Sequence, residues 1–265
     1  MPLTPHLSIV LPCFNEGPRI ASSLTTLQSW VGEDAEILVV DDGSEDGTSQ
    51  QAEGYGKEHP RVRAHSLLRH RGKGRAIRAA IPLVGGDRVV FVDADLAFDR
   101  ESVQRAIDGL ATAEIVVGNR RHEGSRYSVP VSVFGFLYRR HLAGLLFNAF
   151  VRSALGVRAR DTQCGLKAFR RESLERIAPS LSLEGFALDV EILLVAKALG
   201  IQPVEIPVNV RYESPKSSVK LLRSAWAMTS DIVTLAARRV TGRYAPARVR
   251  ALAAGAAGNA AARRG

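Results

Sequence analysis

The stretch Asp87-Arg88-Val89-Val90-Phe91-Val92-Asp93-Ala94-Asp95 is an apolar, β-branched run that closes on two carboxylates spaced i, i+2. The run reads as a strand that gives way to a loop at Asp93. Carboxylates brought together at a strand's C-terminal end repel unless a cation sits between them, and hard oxygen donors of this kind suit Mg2+ or Mn2+. A diphosphate bound to that metal would complete its shell. Two solvated loop carboxylates are the plain alternative, and the surrounding sequence weighs against it.

Outward from this run, short β-branched stretches alternate with helical ones from Leu7 to Asn119. Leu7–Cys13 and residues 36–40, 61–67, 87–92 and 114–117 read as strands. The first, second and fourth are nearly all apolar, as strands buried on both faces of a parallel sheet are. Residues 18–30, 48–58, 74–83 and 100–112 read as helices, each opened by Pro, Ser, Asp or Gly punctuation. This order predicts an α/β fold: a doubly wound, mostly parallel sheet flanked by helices, with its site along the strands' C-terminal edge.

Three loops meet on that edge. The first strand ends in Leu11-Pro12-Cys13-Phe14-Asn15-Glu16 and the second in Val39-Val40-Asp41-Asp42-Gly43-Ser44-Glu45-Asp46-Gly47-Thr48. Phe14 can line or stack on a nucleobase, Glu16 and Asp42 can accept hydrogen bonds from base or ribose, and Gly43 lets backbone approach a ligand. A helix cap through Ser44 or Asp46 accounts for part of the same motif. After the third strand, Arg69-His70-Arg71-Gly72-Lys73-Gly74 sets a Gly-flanked lysine at a helix start, where it can meet phosphate, although the Walker A spacing is missing. No G-x-G-x-x-G follows the first strand, which disfavours a dinucleotide-binding oxidoreductase.

The chain has 265 residues, 46% of them hydrophobic, enough for one large α/β domain, 1–215, with appendages. A net charge of +9 implies attraction to polyanions. The absence of RNP-type aromatic interleaving disfavours nucleic acid. Cys13 and Cys164 are too few for a disulfide framework or zinc site. No run of 18 or more apolar residues occurs and no basic-then-apolar leader opens the chain, so it reads as cytosolic. Residues 124–155, with Phe134, Phe136, Phe147 and Phe150 beside Arg139 and Arg140, read as a buried helix or as a greasy, basic-rimmed surface for a lipid. Over 216–244, Val219, Leu222, Trp226, Thr229, Val233, Ala236 and Val240 recur at spacings of 3 and 4 among basic residues. This predicts an amphipathic basic helix that packs on the domain or lies on a membrane. The Ala, Arg and Gly composition of 245–265 leads us to expect a poorly ordered tail.

Seven ordered motifs carry a resemblance that spans roughly Leu7 to Lys220. They are Val10 to Glu16, Val40 to Thr48, Gly72-Lys73-Gly74, Asp93-Ala94-Asp95-Leu96, Gly118-Asn119-Arg120, Asp161-Thr162-Gln163-Cys164-Gly165-Leu166-Lys167 and Phe186-Ala187-Leu188-Asp189-Val190-Glu191. The chain resembles family 2 glycosyltransferases of the GT-A fold, and within them the dolichyl-phosphate and polyprenyl-phosphate glucosyltransferases. It has Gly118-Asn119-Arg120 where that family usually shows Gly-Ser-Arg. The resemblance implies an inverting transfer of a hexose, glucose from UDP-glucose, to a polyprenyl phosphate. A donor such as GDP-mannose, or a soluble hydroxyl acceptor, is the alternative.

On this reading Asp93 and Asp95 hold a divalent cation, Mg2+ or Mn2+. Pro12, Phe14, Glu16, Asp41, Asp42, Lys73, Asp93, Ala94, Gln163 and Cys164 take the nucleotide sugar. Asp95, Asp161 and Arg120 are catalytic, and Arg120, Arg139, Arg140 and Asp189 face the acceptor. A phosphate acceptor is already ionised and needs cations, whereas a hydroxyl acceptor needs a base, for which Asp161 or Asp189 is the choice. Asp189 and Glu191, two apart on one helix, do not share a face closely. The enzyme is expected to work at the inner face of a membrane as a peripheral protein, and a homodimer is left open.

Overall fold

The computed structural model describes residues 6–128, 134–211 and 221–264; the side chains of 134–143, 146, 221–227 and 257–264 lie outside that description. Strand β1 (Leu7–Cys13) lies between β2 (Ala35–Asp41) and β4 (Arg88–Phe91), parallel to both. All of β2 and all but the first residue of β1 are buried, which is why both read as nearly all apolar. Strand β3 (Val62–Ser66) forms the parallel edge beside β2. Helices α1 (Ile20–Trp30), α2 (Thr48–Glu58), α3 (Lys73–Ala80) and α4 (Arg100–Gly109) alternate with these strands, so the loops after β1, β2 and β4 leave from one edge.

Beyond β4 the simple alternation stops. Strand β5 (Ile115–Asn119) does not pair with β4. Instead β7 (Lys167–Arg170) enters between them, antiparallel to both, and β8 (Val204–Pro207) closes the sheet parallel to β5, giving the order β3-β2-β1-β4-β7-β5-β8. An antiparallel strand begins where its neighbours end, so β7 delivers residues 161–166 to the edge at which β4 releases Asp93. The approach is close: a Cβ placed on Gly165 would lie 1.9 Å from Asp93 Oδ2. Strands β6 (Arg126–Ser128) and β9 (Asn209–Arg211) form a small parallel pair beside the main sheet.

The remaining helices are α5 (Phe134–Leu155), α6 (Arg171–Ile177), α7 (Leu188–Leu199), α8 (Leu221–Val240) and α9 (Pro246–Arg264). Among the described residues no helix is long and apolar enough to cross a membrane. The stripe on α8 read from sequence is not the packed one. Val233 and Val240 are 57% and 88% exposed, whereas Ile232 and Leu235 are fully buried, so the inward face is offset by one residue. Val219 and Lys220 lie outside the described residues.

The expected poorly ordered tail is overturned, because α9 packs against α6 and α7 and buries Val249 and Ala253. Alanine loses no side-chain freedom in a helix, so a segment with little to bury still folds once a neighbour covers a narrow stripe. The entry to α9 is fixed by Tyr244, whose hydroxyl donates to Glu191 Oε1 at 2.6 Å. Glu191 also accepts from the Ser182 and Leu183 amides, both at 2.9 Å, and from Ser182 Oγ at 2.7 Å. It is therefore a structural carboxylate.

Placing a charge in this contact tests it. Val249→Asp buries an unpaired carboxylate and should cost about 3 kcal/mol or more, read as a lower urea midpoint, while Arg250→Ala at an exposed position should stay within about 0.5 kcal/mol. Equal midpoints for the two variants would show that α9 does not hold the fold.

Candidate active site at the strand edge

Asp93 Oδ1 lies 2.6 Å from the ammonium of Lys73, the first residue of α3. Gly72, which precedes it, has φ +124°, and a Cβ there would lie 2.6 Å from the Glu184 carbonyl oxygen. Backbone thus packs directly on the helix start and fixes where Lys73 begins. Lys73 is also 3.8 Å from Asp189 Oδ2, while Asp189 Oδ1 takes Lys167 Nζ at 2.7 Å. Lys167 donates in addition to the Cys164 carbonyl at 2.6 Å. The charges Asp93, Lys73, Asp189 and Lys167 therefore alternate in sign across β4, α3, α7 and β7.

This alternation sets the ionisation of the strand-end pair. Burial alone would raise the Asp93 carboxyl, but Lys73, followed by Lys167 and Arg120, holds it below the usual carboxylate range. Burial would lower Lys73, and the charges of Asp93 and Asp189 raise it instead. Asp95 is pushed up, first by burial and then by the charge of Asp93, with the Ala97 amide at 3.2 Å opposing. Glu16 is raised by burial and by Asp95, Asp46 and Asp93, against the pull of Arg19. Like charges crowded in this way fit a divalent cation, which would relieve the repulsion at Asp95. No cluster of three or more His, Cys, Asp or Glu suited to a metal occurs among the described residues.

Arg120 and Asp161, assigned separate tasks from sequence, form one unit. Arg120 Nε donates to Asp161 Oδ2 at 2.7 Å, Nη2 donates to Oδ1 at 2.9 Å, and the Arg120 amide adds a third bond at 3.1 Å. Burial would raise Asp161, and these bonds with the Arg120 charge hold it low instead. Next to it, Thr162 donates from its amide and its hydroxyl to Asn148 Oδ1 on α5, at 3.0 and 2.8 Å. Arg121 donates to the Gly144 and Arg160 carbonyls at 2.8 and 2.9 Å. The Asp161 loop is thereby stapled to α5.

At the ends of β1 and β2 the motif divides. Asp41 accepts from the Ser44 amide at 3.1 Å, and Asp46 accepts from the Thr48 and Gly17 amides at 3.1 and 2.9 Å, so these two shape the loop. Asp42 is buried and accepts the Arg71 and Gly72 amides on Oδ2 at 3.0 and 2.5 Å, with His70 Nδ1 2.8 Å from the same atom. Its Oδ1 is buried without a hydrogen-bond partner among the described residues. The Phe14 ring stacks on His70, with centroids 3.6 Å apart. Pro12 is a buried member of β1.

Residues 8–178 match Glycosyl transferase family 2. The chain belongs to that family. It is 33% identical over 252 residues to the dolichyl-phosphate beta-glucosyltransferase of Dictyostelium discoideum, covering 89% of this chain and 76% of that protein. The Homo sapiens protein of the same name is 33% identical over 258 residues, covering 91% and 78%. Glucosyl-3-phosphoglycerate synthase from Mycobacterium tuberculosis in complex with uridine-diphosphate aligns with a TM-score of 0.62 at 24% identity, over 88% of this chain and 80% of that one. The same synthase with Mn2+, uridine-diphosphate-glucose and phosphoglyceric acid aligns at 0.61 and 22%, again over 88% and 80%. The fold is the GT-A fold, and this family 2 member is a hexosyltransferase.

Of the other residues read from sequence, Ala94 is buried and its carbonyl accepts from Ser23 Oγ at 2.8 Å. Gln163 is half-buried, with Nε2 unpartnered among the described residues. Cys164 is fully buried, and burial followed by the charge of Asp161 pushes its thiol up to about 12. The side chains of Arg139 and Arg140 lie outside the described residues. Sequence reading missed Lys167, His70 and Asn148 as site residues. Lys167 closes the Asp161 to Lys167 motif, and a lysine directly before the apolar pair Ala168-Phe169 was the available signal.

Asp161 supports a pH test. A carboxyl held low in the folded state contributes stability that is present above its unfolded value, about 4, and is lost as pH falls through the lower folded value. Urea unfolding between pH 7 and 3 should show wild type losing stability below about pH 4 more steeply than Asp161→Asn. Arg120→Ala should cost about 3 kcal/mol at neutral pH. Parallel curves for wild type and Asp161→Asn would refute the pairing.

Proposed function

We propose that this glycosyltransferase moves glucose from UDP-glucose to a polyprenyl phosphate with inversion at the anomeric carbon. One observation carries the choice of acceptor: the two carboxylates suited to be a base are already paired. Both oxygens of Asp161 are taken by Arg120, and Asp189 is held by Lys167 with Lys73 beyond. Such a site offers cations rather than a proton acceptor. A phosphate nucleophile is ionised at neutral pH and asks for that arrangement. The names of the relatives, dolichyl-phosphate beta-glucosyltransferases, support glucose as the sugar and a polyprenyl phosphate as the acceptor.

In this mechanism an acceptor phosphate oxygen attacks the anomeric carbon from the face opposite the diphosphate, and UDP leaves. Asp93 and Asp95 would hold the divalent cation, Mg2+ or Mn2+, which stabilises charge on the departing diphosphate. Lys73 and Lys167 hold Asp93 ionised and in place. Asp161 orients Arg120 toward the acceptor phosphate, a task in which Arg139 and Arg140 are proposed to share. Asp42 and Phe14 receive the uridine. The enzyme acts peripherally at a membrane surface, a reading supported by the exposed Leu145 and Phe150 on α5 and Val233 and Val240 on α8, and by Arg239 on α8, which donates to the Ala154 carbonyl of α5 at 2.8 Å.

The decisive assay is transfer from a panel of UDP- and GDP-sugars, with and without polyprenyl phosphate. UDP-glucose with the lipid should be the productive pair, and efficient transfer to a water-soluble hydroxyl acceptor would reject the proposal. Asp95→Asn should lower kcat at least about 100-fold with the fold intact by circular dichroism, and wild type should stop turning over in excess chelator. Flotation with anionic liposomes should weaken as salt rises, because each basic residue at the surface contributes about 1 kcal/mol and is screened. Absence of flotation at low salt would remove the membrane from the reading.

A further inference from the structure

His70 satisfies the two groups that a nucleobase would need. Its imidazole is stacked on the Phe14 ring with centroids 3.6 Å apart and planes 21° from parallel. Its Nδ1 stands 2.8 Å from Asp42 Oδ2. A flat ring with an N–H on its edge, set against an aromatic face and a buried carboxylate, describes the imidazole. It equally describes a pyrimidine-dione base, whose ring N–H lies between two carbonyls. Asp42 keeps a second oxygen, Oδ1, that is buried and without a hydrogen-bond partner among the described residues. The pocket therefore has acceptor capacity that His70 leaves unused.

The backbone carrying His70 has no room to retreat inward. Gly43, with φ +79°, is pressed so closely on this loop that a Cβ there would lie 2.7 Å from the Arg69 carbonyl carbon and 2.8 Å from the His70 nitrogen. The next two amides are tied to Asp42 itself. What can move is the side chain, which is 50% exposed and so has solvent on one side. Rotation of that side chain about its own bonds uncovers both the Phe14 face and the Asp42 carboxylate without rebuilding the loop.

We propose that the His70 imidazole holds the nucleobase position in the ligand-free enzyme and swings out when the uracil of the donor takes its place on Phe14 and Asp42. This rests on the donor side of the function proposed above. The free pocket thus stays closed over its carboxylate. Donor affinity is reduced by the stacking and hydrogen bonding that His70 gives up. A one-ring base is an even exchange for the imidazole.

The test is calorimetry of UDP with Mg2+ on wild type and His70→Ala, together with NMR of the full-length wild-type protein labelled at histidine. His70→Ala should bind UDP about fivefold more tightly or better, a gain of about 1 kcal/mol. The His70 ring-proton resonance, assigned by its loss in His70→Ala, should be shifted upfield by Phe14 in the free enzyme and should lose that shift at saturating UDP. UDP binding by His70→Ala that is equal or weaker overturns the proposal, and so does an upfield shift that persists at saturation. Wild type that fails to bind UDP at all overturns the donor reading and this proposal together. Wild type that binds UDP while the variant gains nothing overturns the role of His70 alone.

Discussion

Lys167 has 1% of its side chain exposed and Asp189 has 7%, and charges this far from water persist only when each meets an opposite charge and its remaining hydrogen-bonding capacity is used. Asp189 supplies the charge and the Cys164 carbonyl takes a second ammonium proton. Lys167 opens β7 and Asp189 sits in the first turn of α7, so the pair fastens that helix to the one reversed strand between β4 and β5. The same strand sets Gly165 against Asp93. The arrangement of the edge therefore follows from a single desolvated ion pair.

The cations of the site are matched in the free protein: Lys73 with Asp93, Lys167 with Asp189, Arg120 with Asp161. Such cations are already positioned and already largely stripped of water. An anionic ligand therefore meets them without the reorganisation that mobile surface side chains would require. Asp95 differs, meeting only the Ala97 amide among the contacts described above and repelled by Asp93, and this asymmetry gives the strand-end pair one anchored and one available carboxylate.

The first half of the fold was legible because β1, β2 and β4 are buried on both faces and announce themselves as apolar runs, with helices between them marked by their opening residues. Strand β7 was not legible: four residues, with Lys167 and Arg170 at the two ends, are too few to show a period, and its place between β4 and β5 is a tertiary fact. Asp42, Asp93 and Asp95 were read as strand-end residues and Lys73 as a helix start, and that is where they lie. The pairing of Arg120 with Asp161 was missed because they are far apart in sequence and meet only once β7 brings its preceding loop to the edge. The one-residue offset on α8 and the packing of α9 share a cause. Alanine-rich and mixed helices offer more than one plausible stripe, and the neighbour that selects one is invisible to local pattern.

The pairing of β4 with β7 also governs how the chain reaches this state. Strands β1 to β4 are complete once residue 91 has been made, whereas the partner of Arg88 is Arg170, and α4, β5, β6 and α5 must be synthesised in between. During that interval β4 is an open edge of apolar residues, a template for pairing with other chains. Contacts of such sequence separation form late and slowly. Synthesis arrested before β7 would yield a nascent chain prone to aggregation and without the loop that later sets Gly165 against Asp93.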